Sequence, residues 1–123
     1  MIVTQTATID VTDGIVVVRV AEHVVQTIAQ ASENLDAAIS LSGPRKRPLL
    51  VDLRKAQPLS PAVRHHYSGQ VLVDSFSAMA LLVDGSPLRS MMGNVYLRIA
   101  RPGIPSRLFT DESTTVAWLK GFA

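Results

Sequence analysis

The strongest constraint on the fold is an apolar run that ends in a carboxylate, Pro-Leu-Leu-Val-Asp-Leu over residues 48–53. A strand with apolar side chains on both faces must be covered on both faces, which is typical of parallel strands. Segments with a helical pattern precede and follow this run. We therefore expect an α/β fold in which residues 48–53 form a central strand between layers of helix.

The first forty residues change from a strand pattern to a helix pattern. Residues 6–11 alternate between apolar and polar, residues 15–20 are almost entirely apolar, and Asp13-Gly14 between them favours a tight hairpin turn. Apolar residues then recur at helical spacing over residues 22–41, and Gly43-Pro44 ends the helix. The predicted start is an antiparallel hairpin followed by an amphipathic helix.

The remaining elements follow from similar signals. Ser60-Pro61 and Ser86-Pro87 each combine a helix-capping serine with a proline suited to the first helical position. Residues 78–83 and 106–109 are predicted strands, and Thr110 or Asp111 caps a last helix. The order is ββαβαβαβα, a mixed sheet of about five strands with four helices, in one domain over residues 1–123.

Composition excludes several classes of protein. The chain has no cysteine, so neither disulfides nor thiolate metal sites are available. Its apolar runs fall far short of the roughly 18 residues of a membrane span. The amino terminus lacks a basic segment, so we expect a cytoplasmic protein. The net charge is +2, and the basic cluster Arg45-Lys46-Arg47 has no aromatic residues beside it, so we expect no nucleic-acid partner.

This order of elements resembles the STAS domain, the fold of bacterial anti-sigma-factor antagonists, over nearly the whole chain. More closely, the chain resembles a bacterial SpoIIAA-like, STAS/SEC14-type family of unknown function. The segments that carry the resemblance are Leu-Val-Asp-Leu-Arg at 50–54, Ser-Pro-Ala-Val-Arg at 60–64, Ala-Leu-Leu-Val at 80–83, Ser-Pro-Leu-Arg at 86–89, Gly-Asn at 93–94, Leu-Phe-Thr-Asp-Glu at 108–112 and Ala-Trp-Leu at 117–119.

The resemblance implies a regulatory function in protein–protein interaction without catalysis. In anti-sigma-factor antagonists a serine at a helix N-terminus, in a loop after a strand ending in Asp-Leu, is phosphorylated by a partner kinase. Asp52-Leu53 matches that strand end, but the acceptor position falls on Pro61, which has no hydroxyl. The phosphorylation switch therefore does not transfer. SEC14-type lipid-transfer domains share a related arrangement, which leaves a carrier of a small ligand or lipid as the alternative.

Two sets of residues are candidates for binding. Ser60, Arg64, Ser86 and Arg89 begin two helices at the carboxyl ends of neighbouring strands, where an anion or nucleotide pocket is expected in an open α/β sheet. The alternative is that each arginine pairs locally, for example with Asp52 or Asp84.

The second set concerns a protein partner. Charged residues make up 18% of the chain, below the usual quarter, and residues 91–99 show two apolar helix faces. We expect a homodimer or regulatory partner to contact the second face, through Met92, Tyr96 and Arg98. The alternative is that this helix lies deep between layers and buries both faces.

No catalytic, metal-binding or cofactor-binding set is predicted. Adjacent His65 and His66 point about 100° apart on a helix. His23 has no predicted spatial relation to them. A triad of Ser60, His65 and Asp52 lacks the Gly-x-Ser-x-Gly elbow that exposes a nucleophile.

Overall fold

The computed structural model describes residues 1–56, 60, 62–63, 70–86 and 103–123. Within these ranges six strands form one sheet in chain order, and three helices accompany it. The elements are β1 Ile2–Val3, β2 Ala7–Thr12, β3 Ile15–Val20, α1 Ile28–Ser42, β4 Arg47–Asp52, α2 Gln70–Ser75, β5 Phe76–Leu82, β6 Ser106–Phe109 and α3 Glu112–Lys120. The pairs β1–β2 and β2–β3 are antiparallel, and β3–β4, β4–β5 and β5–β6 are parallel. The predicted mixed α/β architecture is confirmed.

The hairpin between β2 and β3 forms at the predicted turn. Asp13 and Gly14 have φ angles of 55° and 78°, and Thr12 pairs with Ile15. Positive φ at both central residues defines the turn type whose twist matches that of the flanking strands. Asp-Gly suits it because Asp tolerates, and Gly readily adopts, the left-handed region.

The sheet is covered on both faces. α1 packs against β2 and β3 on one face, and α3 packs against β4, β5 and β6 on the other. Buried residues of the α1 side include Ile9, Val16, Val18, Leu35, Leu49, Leu72, Phe76 and Met79. Buried residues of the α3 side are Ile15, Val17, Leu50, Ala78, Ala80, Leu82, Phe109 and Leu119. Val17 and Leu50 face one layer while their neighbours face the other, as expected for strands buried on both sides.

The prediction of about five strands and four helices differs from the described residues, which hold six strands and three helices. The described residues contain a sixth strand, β1, in which Ile2 pairs with Ile9 and Val3 with Thr8. Two residues are too few to show an alternating pattern, and β1 exists only because β2 offers it a partner. The described residues hold three helices. The helix predicted after Ser86-Pro87 falls on residues 87–102, outside the described ranges.

The first helix begins six residues later than predicted, at Ile28 rather than at residue 22. Thr27 and Gln30 form a capping box, in which each side chain accepts the other's backbone N–H. Ahead of that cap, His23 has a φ of 61° and donates its backbone N–H to the carbonyl of Lys55. A long-range hydrogen bond therefore holds this segment as a loop despite its helical apolar spacing.

The other boundaries differ by small amounts. β4 begins one residue earlier than predicted and β5 two residues earlier, at Phe76. The helix predicted from Ser60-Pro61 to residue 71 is helical at residues 62–63, and α2 leads directly into β5. Asp111, one of the two predicted caps, accepts the backbone N–H of Thr114 at 2.9 Å. No helix in the described part of the chain is long and apolar enough to cross a membrane.

A buried amide joins α1 to the first strands. Asn34 is 1% exposed; its Nδ2 donates to Thr6 Oγ1 at 2.7 Å, and its Oδ1 accepts from the Thr4 hydroxyl. The amide thus fixes the loop between β1 and β2 over the apolar stripe of α1. Buried amides contribute in this way only when their hydrogen bonds are satisfied.

We expect Asn34→Ala to lower the free energy of unfolding by about 1–3 kcal/mol, because it leaves the buried Thr6 hydroxyl without its partner. Urea denaturation measures the loss. Asp36→Ala, at an exposed position of the same helix, is the control and should change stability by less than about 0.5 kcal/mol. Equal effects of the two substitutions would contradict a structural role for the amide.

Candidate functional site

Charged side chains gather where the parallel strands end. β3 and β4 run parallel in a register that places Arg19 beside Asp52. Arg54 follows Asp52 by two residues, and Glu112 begins α3 directly after β6. Because the carboxyl ends of parallel strands share one edge of the sheet, these four residues meet there. We call Arg19, Asp52, Arg54 and Glu112 the edge network.

Each arginine of the edge network bridges both carboxylates. Arg19 Nη1 donates to Asp52 Oδ2 at 2.8 Å and to Glu112 Oε1 at 2.7 Å. Arg54 Nη2 donates to the same two oxygens at 2.8 and 3.0 Å. The Nε and backbone N–H of Arg54 also reach Asp52 Oδ1, at 3.0 and 3.1 Å. Hydrogen bonds between ionised groups fix the orientation of the side chains and also stabilise the fold.

Contacts within the edge network lower the pKa values of its two carboxylates and raise those of its two arginines. Burial by itself raises the pKa of Asp52, but hydrogen bonds from Arg54 and Arg19 outweigh it and hold that pKa below its ordinary value. The hydrogen bond from Arg19 lowers the pKa of Glu112. The carboxylates in turn raise the pKa of both arginines, through Glu112 for Arg19 and through Asp52 for Arg54. All four groups are therefore ionised at pH 7.

A cavity of about 430 Å³ adjoins the edge network, on the side of β1 and β2. Its walls include Val3, Thr4, Thr8, Arg19, Glu22, Asp52, Arg54 and Lys55. The Arg19 side chain is 44% exposed, and both of its ion pairs use Nη1. Within the described ranges its Nε and Nη2 have no acceptor. The guanidinium is therefore fixed through Nη1, and the N–H groups of Nε and Nη2 can donate to a ligand.

The residues predicted as an anion pocket are described only in part. Ser60 is exposed, and its Oγ accepts the backbone N–H of Val63 at 3.3 Å, as expected of a helix cap. The backbone N–H of Ser86 donates to Asp84 Oδ1 at 3.0 Å. Arg64 and Arg89 lie outside the described residues, as do Met92, Tyr96 and Arg98. The anion pocket and the predicted partner surface therefore stay predictions.

Asp52 pairs with arginines that the sequence analysis did not select. In the structure Asp52 binds Arg19 and Arg54, and its predicted local pairing with Arg64 or Arg89 concerns arginines outside the described residues. The sequence signal for the pairing is Arg19, a lone charged residue near the end of the otherwise apolar β3, together with Asp52 at the end of the neighbouring β4. Among the described residues no three His, Asp or Glu side chains form a group able to hold a metal ion.

The sheet order and the two helical layers define a SpoIIAA-like α/β fold. The structure is similar to an uncharacterised protein with a SpoIIAA-like fold from Shewanella loihica, of the family DUF3478, with a TM-score of 0.63 at 15% identity over 97% of this chain and 98% of that chain. It is also similar to an anti-sigma factor antagonist from Mycobacterium paratuberculosis, with a TM-score of 0.60 at 17% identity over 94% and 93% of the two chains.

The particular family is shown by sequence. Residues 9–123 match the model of a domain of unknown function, DUF7793, and the chain belongs to that family. No curated protein matches the chain in sequence. The predicted resemblance to SpoIIAA-like and STAS folds is confirmed at the level of fold.

We expect Asp52→Asn to lower the free energy of unfolding by about 1–3 kcal/mol at pH 7, because the amide presents an N–H group to two guanidiniums. Chemical denaturation measures the loss. Lys120→Gln is the control, since its ion pair with Asp13 is 3.8 Å long and more than half exposed. That change should cost less than about 0.5 kcal/mol. A comparable loss of stability in both variants would contradict the view that the edge network stabilises the fold more than an exposed ion pair does.

The same substitution has a predicted pH dependence. A carboxylate whose pKa is lowered by folding contributes stability that is complete above its unfolded pKa, about 4, and is lost as pH falls through the folded value. The pKa of Asp52 is lowered by folding, so the stability gap between the native chain and Asp52→Asn should be widest above about pH 5 and should narrow as the pH falls below about 4. A gap that stays constant across this range would contradict the ion-pair origin.

Proposed function

We propose that the chain is a cytoplasmic, non-enzymatic regulatory module that binds a protein partner at the carboxyl edge of its sheet. The observation that carries the proposal is the edge network together with the adjoining cavity. The network fixes Arg19 while part of its guanidinium lies open to that cavity. A positioned arginine beside a concave wall is an arrangement suited to recognising a carboxylate or carbonyl of another molecule.

The ionisation states favour binding over acid–base catalysis. A group that transfers protons works best when its pKa lies near the working pH. The pKa values of Asp52 and Glu112 are lowered, and those of Arg19 and Arg54 are raised. These groups therefore keep one charge state at neutral pH, which serves recognition by charge.

The fold supports a partner that is a protein. A similar structure is an anti-sigma factor antagonist, and the resemblance in sequence implies an interaction module. The position of the phospho-acceptor is Pro61, so a regulatory switch in this chain uses other chemistry. Self-association as a homodimer through Met92, Tyr96 and Arg98 is part of the proposal and concerns residues outside the described ranges.

Photo-crosslinking tests the proposed edge. A photoreactive phenylalanine analogue replaces Val3, which is 68% exposed and lines the cavity. In the source cells we expect one discrete protein adduct. Arg19→Ala should weaken partner binding, and with it that adduct, about tenfold or more, because a lost charge-assisted hydrogen bond is worth about 1.5–3 kcal/mol. The same analogue at Ser40, exposed on α1 at the other face of the sheet, should give none.

Native mass spectrometry separates this proposal from its alternative. A mass of chain alone, or of a dimer alone, agrees with an interaction module. A retained lipid or metabolite would favour the carrier suggested by the SEC14-type resemblance, or an anion pocket near Arg64 and Arg89. Adducts at Ser40 as strong as those at Val3 would contradict a specific site.

A further inference from the structure

In the described part of the chain, the last strand has a neighbouring strand on one side of its backbone only. Pro105 accepts the backbone N–H of Met79 in β5, and Phe109 accepts that of Val83, the residue after β5, both at 2.9 Å. Because backbone groups of successive strand residues point to alternate sides, those of Ser106 and Leu108 point away from β5. β6 is the edge of the sheet, and no described strand pairs with this side.

An exposed arginine stands between these two residues and is held by aromatic rings. The guanidinium of Arg107 lies 5.0 Å from the ring centre of Phe109 and 5.6 Å from that of Trp118. Trp118 contacts Phe109 at 5.5 Å and Phe122 at 4.9 Å between centres. Within the described ranges Arg107 makes no ion pair, in contrast to Arg19 and Arg54. Stacking therefore places the cation while its charge is not neutralised by a carboxylate.

The charge of Arg107 argues against a second copy as the occupant of this edge. An antiparallel pairing that uses both Ser106 and Leu108 of each copy places the two Arg107 residues directly opposite. Opposite residues at such a non-hydrogen-bonded position have Cα atoms about 4.5 Å apart, and like charges there are destabilising. The same position favours a strand with a carboxylate opposite Arg107.

We propose that the β6 edge binds an extended acidic segment of a partner protein by strand addition. Ser106 and Leu108 supply the main-chain hydrogen bonds, and Arg107 pairs with an Asp or Glu of the added strand. The half-buried rings of Trp118 and Phe122 flank the added strand on the α3 face. This surface lies at the opposite edge of the sheet from the cavity beside β1 and β2, so the proposal does not depend on the function proposed above.

Titration of the isotope-labelled full chain with two capped heptapeptides tests the inference by NMR. Both probes alternate threonine and valine; one carries a central glutamate and the other a central lysine. We expect the glutamate peptide to shift the amide signals of Ser106 and Leu108 saturably and to slow their hydrogen exchange. The lysine peptide should bind about two- to fivefold more weakly, the range given by cross-strand charge pairs.

A charge reversal at Arg107 completes the test. Arg107→Glu should invert the preference and bind the lysine peptide more tightly, while Arg107→Gln should bind the two peptides equally. Arg45→Glu changes the charge of the chain by the same amount from an exposed loop position before β4, and it should keep the native preference. The inference is overturned if Ser106 and Leu108 do not respond, if the native chain binds both peptides equally, or if Arg107→Glu keeps the original preference.

Discussion

The parallel pairing of β3 with β4 is the constraint on which the rest of the structure depends. β4 has buried side chains on both faces, because Leu49 lies in the core cluster of the α1 side and Leu50 in that of the α3 side. The same pairing brings Arg19 beside Asp52 at the end of the strands. Glu112 then ties the first turn of α3 to that end. The packing of the layers and the ion pairs thus fix the same three elements, β3, β4 and α3.

Local patterns in the sequence determine much of this fold. The turn at Asp13-Gly14 needs only two residues able to take positive φ, and the strand over residues 48–53 needs only an unbroken apolar run. The elements that escaped prediction depend on distant partners. β1 is a strand because β2 lies beside it, and the segment before Thr27 is a loop because the backbone of His23 bonds to Lys55.

The edge network escaped prediction for a related reason. A search for convergent charges along helix N-termini selects Ser60, Arg64, Ser86 and Arg89, since capping signals are local. Arg19 and Glu112 are 93 residues apart and meet only through strand register. The sequence contains a weaker signal for the pairing of Arg19, because a charged residue near the end of a buried strand needs an opposite charge nearby. Once β3 and β4 are taken as parallel neighbours, Arg19 and Asp52 are natural partners.

The edge network and the β6 edge use arginine in opposite ways. At the carboxyl edge two guanidiniums pair with two carboxylates, and these ion pairs hold β3, β4 and α3 together. At β6 the guanidinium of Arg107 lies near the rings of Phe109 and Trp118 and makes no ion pair with the described residues. A cation beside main-chain groups that no described strand pairs with opposes the pairing of two copies of this edge through like-charge repulsion. The same charge attracts a strand of opposite sign, so protection against self-pairing and selection of an acidic partner have one physical origin.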